Sequence, residues 1–208
     1  KIVVNGFFKP TEWAMKEVIK TRKNPQYYEA KVVKLDGIDF HLIEKDELNA
    51  FTVPGGNIYM FTGLMDRLKS DDEIAAVLAH EVGHCATRHT IKKFQAGMSY
   101  NILGNLLLSQ LQLENRAKQV IAQGSGAVMN LIFSAYGRGD EFEADKLGIK
   151  YMHLAGNNLQ GMIKTFELLE RESKGPDVPL ILRTHPYIKD RIAKAKEEIQ
   201  KIQTNTNP

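Results

Sequence analysis

The sequence predicts an α+β fold, mainly helical, with one small mixed sheet. Three observations carry this. Short runs rich in β-formers flank the turn signals Asp36-Gly37 and Pro54-Gly55-Gly56 in the first third of the chain. From Ser70 onward apolar residues recur at helical spacing almost to the end. The 208 residues are 43% hydrophobic and 25% charged, which supports one packed core and excludes a disordered or fibrous class. One domain is expected over residues 1–203, followed by a loose polar tail at 204–208.

Residues 10–22 read as a helix, with Trp13, Met15, Val18 and Ile19 on one side. Tyr28 to Val33 and Ile38 to Ile43 read as strands around the Asp-Gly turn. Asn57 to Thr62 reads as a further strand, placed at a sheet edge. Ser70-Asp71-Asp72-Glu73 is a capping box, and its acidic residues suit the positive end of the helix dipole. The helix it opens is expected to reach about Thr90. Further helices are predicted at 94–113, 117–135, 138–154, 158–172 and 187–203.

Charge and cysteine content narrow the function classes. The net charge of +3 is spread along the chain without a basic block, so nucleic acid is not an expected partner. Cys85 is the one cysteine and cannot form an internal disulfide. The apolar stretches 102–113 and 120–133 fall short of the roughly 20 residues a membrane span needs. They are expected to be buried or interfacial helices. The chain opens at Lys1 rather than Met, which reads as a mature or trimmed form; a membrane-associating segment would then lie outside it.

The chemistry concentrates in His80-Glu81-Val82-Gly83-His84. Residues four apart share a helix face, so His80 and His84 can direct imidazole nitrogens at one zinc ion. Glu81 sits one step around the helix and reaches a water beside the metal without ligating it, as a general base must. A catalytic zinc takes a third protein ligand. The spacing that would supply a third histidine is absent: Thr87 and Thr90 stand at the required positions, and His89 is one residue off, which reads as solvent-facing or capping. The third ligand is therefore expected to be a carboxylate. Glu114 and the pair Glu141/Glu143 are the candidates. Glu141 and Asp145 share a face, so Glu141 can bind the metal while Asp145 accepts a hydrogen bond from a ligand histidine.

Four segments in order resemble the zinc metallopeptidase family of the CAAX prenyl proteases, bacterial HtpX and the mitochondrial overlapping-activity protease. They are Asn49-Ala50-Phe51 with Pro54-Gly55-Gly56; Leu78-Ala79-His80-Glu81-Val82-Gly83-His84; Arg138 with Glu141-Phe142-Glu143-Ala144-Asp145; and Thr184-His185-Pro186 with Arg191. The resemblance implies a zincin-like domain of the gluzincin type, with one zinc per chain on His80, His84 and Glu141. It implies that Arg138 and Asp145 support those ligands from behind. It implies that an edge strand, placed at Asn57, Ile58, Tyr59 and Met60, binds extended polypeptide by backbone pairing. His185 would lie near the metal, either filling its open position at rest or donating to the oxyanion.

The chain lacks the spanning helices of the membrane-embedded members, so it resembles their soluble, exported branch. The implied location is the bacterial periplasm or a membrane facing it. The implied activity is an endopeptidase for unfolded or misassembled proteins, with 102–113 and 120–133 as a lid. The alternative is a chaperone or assembly factor that holds extended chains on its edge strand.

Overall fold

The computed structural model describes residues 32–35, 38–97, 130 and 133–205. The expected helix at 10–22, the start of the first strand, Glu114 and most of the two apolar stretches lie outside the described residues.

Strand β1 (Val32–Leu35) pairs antiparallel with β2 (Ile38–Ile43). Along β2 burial alternates, and Ile38, Phe40 and Leu42 face the core. Strand β3 (Ala50–Val53) forms a hairpin with β4 (Asn57–Phe61). Its turn needs Gly55 and Gly56, at φ of 96° and 82°, where a side chain would be strained. The sheet order is β1-β2-β4-β3, and β4 runs parallel to β2, so the sheet is mixed as expected.

That order corrects one expectation. The strand carrying Asn57, Ile58, Tyr59 and Met60 is interior, bonded to β2 on one side and β3 on the other. Its backbone groups are committed and cannot bind an added strand. Among the described residues, the margin of the sheet on this side is β3. Alternation reveals which face of a strand is buried but not which neighbours it acquires.

A short helix unanticipated in sequence, α1 (Thr62–Arg67), follows β4 directly. Helix α2 (Asp71–Ala86) is capped by Ser70, whose hydroxyl accepts from the Glu73 N–H at 3.3 Å. The Glu73 carboxylate reaches back to the Lys69 N–H at 3.0 Å. The helix ends at Ala86, four residues short of the expected end, because Arg88 turns left-handed at φ 58°. A second helix, α3, resumes at residues 89–97. Residues 133–137 are not helical, against the expected helix to 135. Then follow α4 (Arg138–Leu154), α5 (Gln160–Glu172), the short α6 (Leu180–Thr184) and α7 (Ile188–Asn205). The last helix continues past the expected 203.

Helix α2 is the centre of the molecule. Ile74, Leu78 and Val82 are buried in one cluster with Phe40 and Ile58 of the sheet, Ile149 and Met152 of α4, and Met162 and Phe166 of α5. Two glycines let α4 approach. A Cβ on Gly83 would lie 2.7 Å from the Ala144 carbonyl oxygen, and one on Gly148 would lie 3.1 Å from the His80 nitrogen. Gly83 has no room for a side chain, and Gly148 would take one only if the His80 backbone gave by a few tenths of an ångström. Among the described residues no helix is long and apolar enough to cross a membrane.

Candidate active site

Helix α2 places His80 and His84 one turn apart, with their Nε2 atoms 3.0 Å from each other. The close approach of α4 brings Glu141 to them, Oε1 standing 3.3 Å from His84 Nε2. His185, the residue that ends α6, adds Nδ1 at 3.2 Å from His80 Nε2 and 3.1 Å from Glu141 Oε1. All four side chains are buried, and one donor atom from each lies within 4.8 Å of the others.

The hydrogen bonds behind these donors set their tautomers. His80 Nδ1 lies 2.8 Å from Asp145 Oδ1, so it carries the proton and donates it, leaving the Nε2 lone pair to face the cluster. His84 Nδ1 lies 3.1 Å from His89 Nδ1, and His89 Nε2 lies 3.2 Å from Glu143 Oε2. Protons run outward along this chain to the carboxylate, so the His84 Nε2 lone pair also faces inward. Converging lone pairs at 3.0 Å repel unless a cation lies between them. A tetrahedral zinc with bonds of about 2.0–2.2 Å holds its donors about 3.3–3.6 Å apart. The separations here come within a few tenths of that, and the N,N,N,O donor set suits zinc.

Residues 17–199 match peptidase family M48. The chain belongs to that family. It is 33% identical over 174 residues to mitochondrial metalloendopeptidase OMA1 of Arabidopsis thaliana, covering 83% of this chain and 34% of that protein. It is 28% identical over 170 residues to the β-barrel assembly-enhancing protease of Yersinia pestis, covering 78% of this chain and 35% of that protein. Against OMA1 of Saccharomyces cerevisiae the identity is 30% over 172 residues, covering 76% and 46%. The chain thus spans only a third to a half of these relatives. Zinc is the metal of M48 peptidases, and His80, His84 and Glu141, with His185 beside them, are the residues that would hold it here.

Within this M48 site Arg191 of α7 organises the acidic partners. Its Nε and Nη2 donate to the two oxygens of Asp145 at 2.8 and 2.7 Å, and its Nη1 lies 2.6 Å from Glu141 Oε2. Burial is the largest influence on Glu141 and Asp145 and opposes their ionisation, but Arg191 together with the neighbouring histidines outweighs it, holding Glu141 well below the usual carboxylate range and Asp145 below it. Burial pushes His84 well down, which keeps it neutral as a ligand must be. His185 is the opposite case: burial lowers it, but Glu141 and Glu81 beside it raise it above the ordinary value. Its Nε2 is buried without a hydrogen-bond partner, 3.6 Å from Glu81 Oε1.

Glu81 is not among the four side chains whose donor atoms cluster. The Thr52 hydroxyl donates to its Oε2 at 2.8 Å and to its backbone carbonyl at 3.1 Å, so the marginal strand β3 fixes the carboxylate. Thr52 escaped the sequence reading, although its inward position in Ala50-Phe51-Thr52-Val53 is visible in the alternation. Tyr136 escaped it too. Its ring stacks on His84 with centroids 4.0 Å apart, and its hydroxyl shares a hydrogen bond with Thr90 at 2.9 Å. No pattern in the sequence marks Tyr136.

Three expectations are corrected. Arg138 does not stand behind the ligands: it is exposed, pairs with Asp190 at 2.8 Å and lies over the Tyr187 ring. As the first residue of α4 its side chain points back out of the helix, away from Glu141. Arg191 holds the place expected of it. His89 is buried at 2% exposure, not solvent-facing, because the Arg88 turn folds it back under His84. Asn57, Ile58, Tyr59 and Met60 do not form a free edge.

Proposed function

We propose that this chain is a zinc-dependent endopeptidase that cuts unfolded or misassembled polypeptides. One observation carries the reading: a buried glutamate, Glu81, is held beside a metal-ligand cluster yet excluded from it. A structural site has no need of such a group. Zinc bound here supplies Lewis acidity, polarising the scissile carbonyl and acidifying a water. Glu81 takes the proton from the attacking water and returns it to the leaving amine. Thr52 keeps one carboxylate oxygen occupied and so aims the other.

The substrate strand pairs with β3. The Asn49 carbonyl accepts from the Phe61 N–H, so odd-numbered residues face β4 and the backbone groups of Ala50 and Thr52 face outward. The outward carbonyls of Leu48 and Thr52 accept from the Ile181 N–H and the Thr90 hydroxyl, and Ala50 between them is fully buried, so a substrate strand pairs here only where that cover gives way. Backbone pairing there is indifferent to sequence, which suits unfolded targets. The bacterial relatives are named for β-barrel assembly, so a periplasmic location with misassembled proteins as substrates fits this chain. Zinc-loaded protein is expected to degrade casein and spare a stable folded protein. Chelation should end the activity and added zinc restore it. Degradation that survives chelation would contradict the reading.

A second reading rests on His185. Its Nδ1 stands within the ligand cluster, so we propose that it fills the fourth position at rest and withdraws for turnover. His185→Ala should then raise casein degradation several-fold at unchanged zinc content. A fall of about 10²-fold or more would instead make His185 a donor to the oxyanion.

A further inference from the structure

Tyr136 is 4% exposed and lies between two groups of unlike kind. On one face the His84 imidazole stacks, with centroids 4.0 Å and planes 26° apart. The Lys93 ammonium lies 3.9 Å from the ring centre. Imidazole and ammonium could not share one face at those distances without overlapping, so the ring is sandwiched between them. Its hydroxyl and backbone are tied as well. The Thr90 hydroxyl gives its single proton to the Thr52 carbonyl at 3.3 Å, so the 2.9 Å bond between Thr90 and Tyr136 is donated by the phenol. The Tyr136 N–H donates to the Thr184 carbonyl at 3.0 Å, and Lys93 Nζ donates to the Ser134 carbonyl at 2.8 Å. Residues 133–137 form no helix or strand that would fix the phenol, so these contacts do.

We infer that Tyr136 is a positioning residue for the zinc ligand His84, and that Lys93 holds it to that task from the opposite face. The inference rests on the zinc site and not on the choice of substrate. A bond from an imidazole to a metal lies in the ring plane, so a ligand histidine must be held against tilting. The torsion that tilts it, about Cβ–Cγ, is soft and lacks sharp staggered wells. The bond from His84 Nδ1 to His89 fixes one ring atom and leaves that tilt open. The flat face of Tyr136 closes it. An aromatic face suits this place for a second reason. An imidazole that ligates a dication carries part of its charge, and the negative face of a phenol ring attracts a cation. An aliphatic side chain of the same volume would fill the space but offer no such face. The same attraction draws the Lys93 ammonium to the far side. Burial lowers Lys93 to about 8, with Glu81 and Glu141 opposing, so it stays charged at neutral pH.

The test measures zinc affinity, by competition with a chromophoric chelator, and the visible spectrum of the cobalt-substituted protein. Neither readout needs turnover. Tyr136→Leu removes the aromatic face. It should lower zinc affinity about 10–100-fold and change the cobalt bands, as loss of a group that orients a metal ligand does. Tyr136→Phe keeps the face and deletes only the hydroxyl that points to Thr90, so its loss should stay well below that range. Lys93→Met keeps the stem, deletes the charge and should lower zinc affinity at least about twofold. If Tyr136→Leu fails to fold, Lys93→Met decides the question, and unchanged affinity there overturns the inference. A folded Tyr136→Leu variant with wild-type zinc affinity and an unchanged cobalt spectrum would also overturn it, leaving Tyr136 as core packing whatever the melting temperature. An equal loss in Tyr136→Phe would overturn it too, because the hydroxyl and not the face would then be the working part. Wild-type protein that takes up no zinc would bring down the metal site itself. Wild-type uptake beside an unaffected Tyr136→Leu sinks the positioning role alone.

Discussion

Glu141 and Glu143 lie two residues apart at the start of α4, about 200° around the helix. That offset sends Glu141 into the ligand cluster and leaves Glu143 exposed, where it accepts from His89. Replacing Glu141 with Gln is expected to lower zinc affinity by orders of magnitude, read as metal retained after dialysis. Glu143→Gln should keep full zinc. The reverse pattern would move the ligand by two residues. At this scale the histidine pair, Glu81 and the choice of a carboxylate were legible, because four-residue spacing on a helix is geometry written in sequence. His89 was not, since its burial depends on the left-handed turn at Arg88, where no glycine or asparagine signals a stop. Arg191 carried no role in the sequence because its partners lie 46 and 50 residues away on another helix.

Elements meet at the crossing of α2 and α4, and Gly83 controls how closely they approach. Gly83 sits inside the metal-binding motif without touching the metal. Gly83→Ala would force a methyl group against the Ala144 backbone. The expected cost is about 1–3 kcal/mol of stability, with Glu141 drawn away from the histidines. Melting temperature and zinc affinity should fall together. A variant that keeps wild-type values of both would show that the crossing tolerates a wider spacing. The bounds of β2 and α4 were readable to the residue, since alternation marks the first and the acidic first turn of the helix marks the second. The placement of the edge strand was not. β4 gains its second neighbour from β2 by a parallel pairing across the intervening chain, and local pattern holds no information about that partner.

Across the whole molecule, residues from four separate regions converge on one buried point. β3 supplies Thr52, α2 the histidines and Glu81, α4 Glu141 and Asp145, and the α6–α7 segment His185 and Arg191. The α+β class and the helical majority were legible because periodicity is a local property. The convergence was visible only as motifs in a fixed order, which states that the pieces belong together and not how they touch. The claim that joins all scales is that Glu81 is the base and not a ligand. Its test is casein degradation by the zinc-loaded wild type beside Glu81→Gln, with zinc content measured on both. The structure predicts that Glu81→Gln binds as much zinc as the wild type and degrades casein at least 10²-fold more slowly. Loss of zinc in Glu81→Gln, or retention of activity, would contradict it.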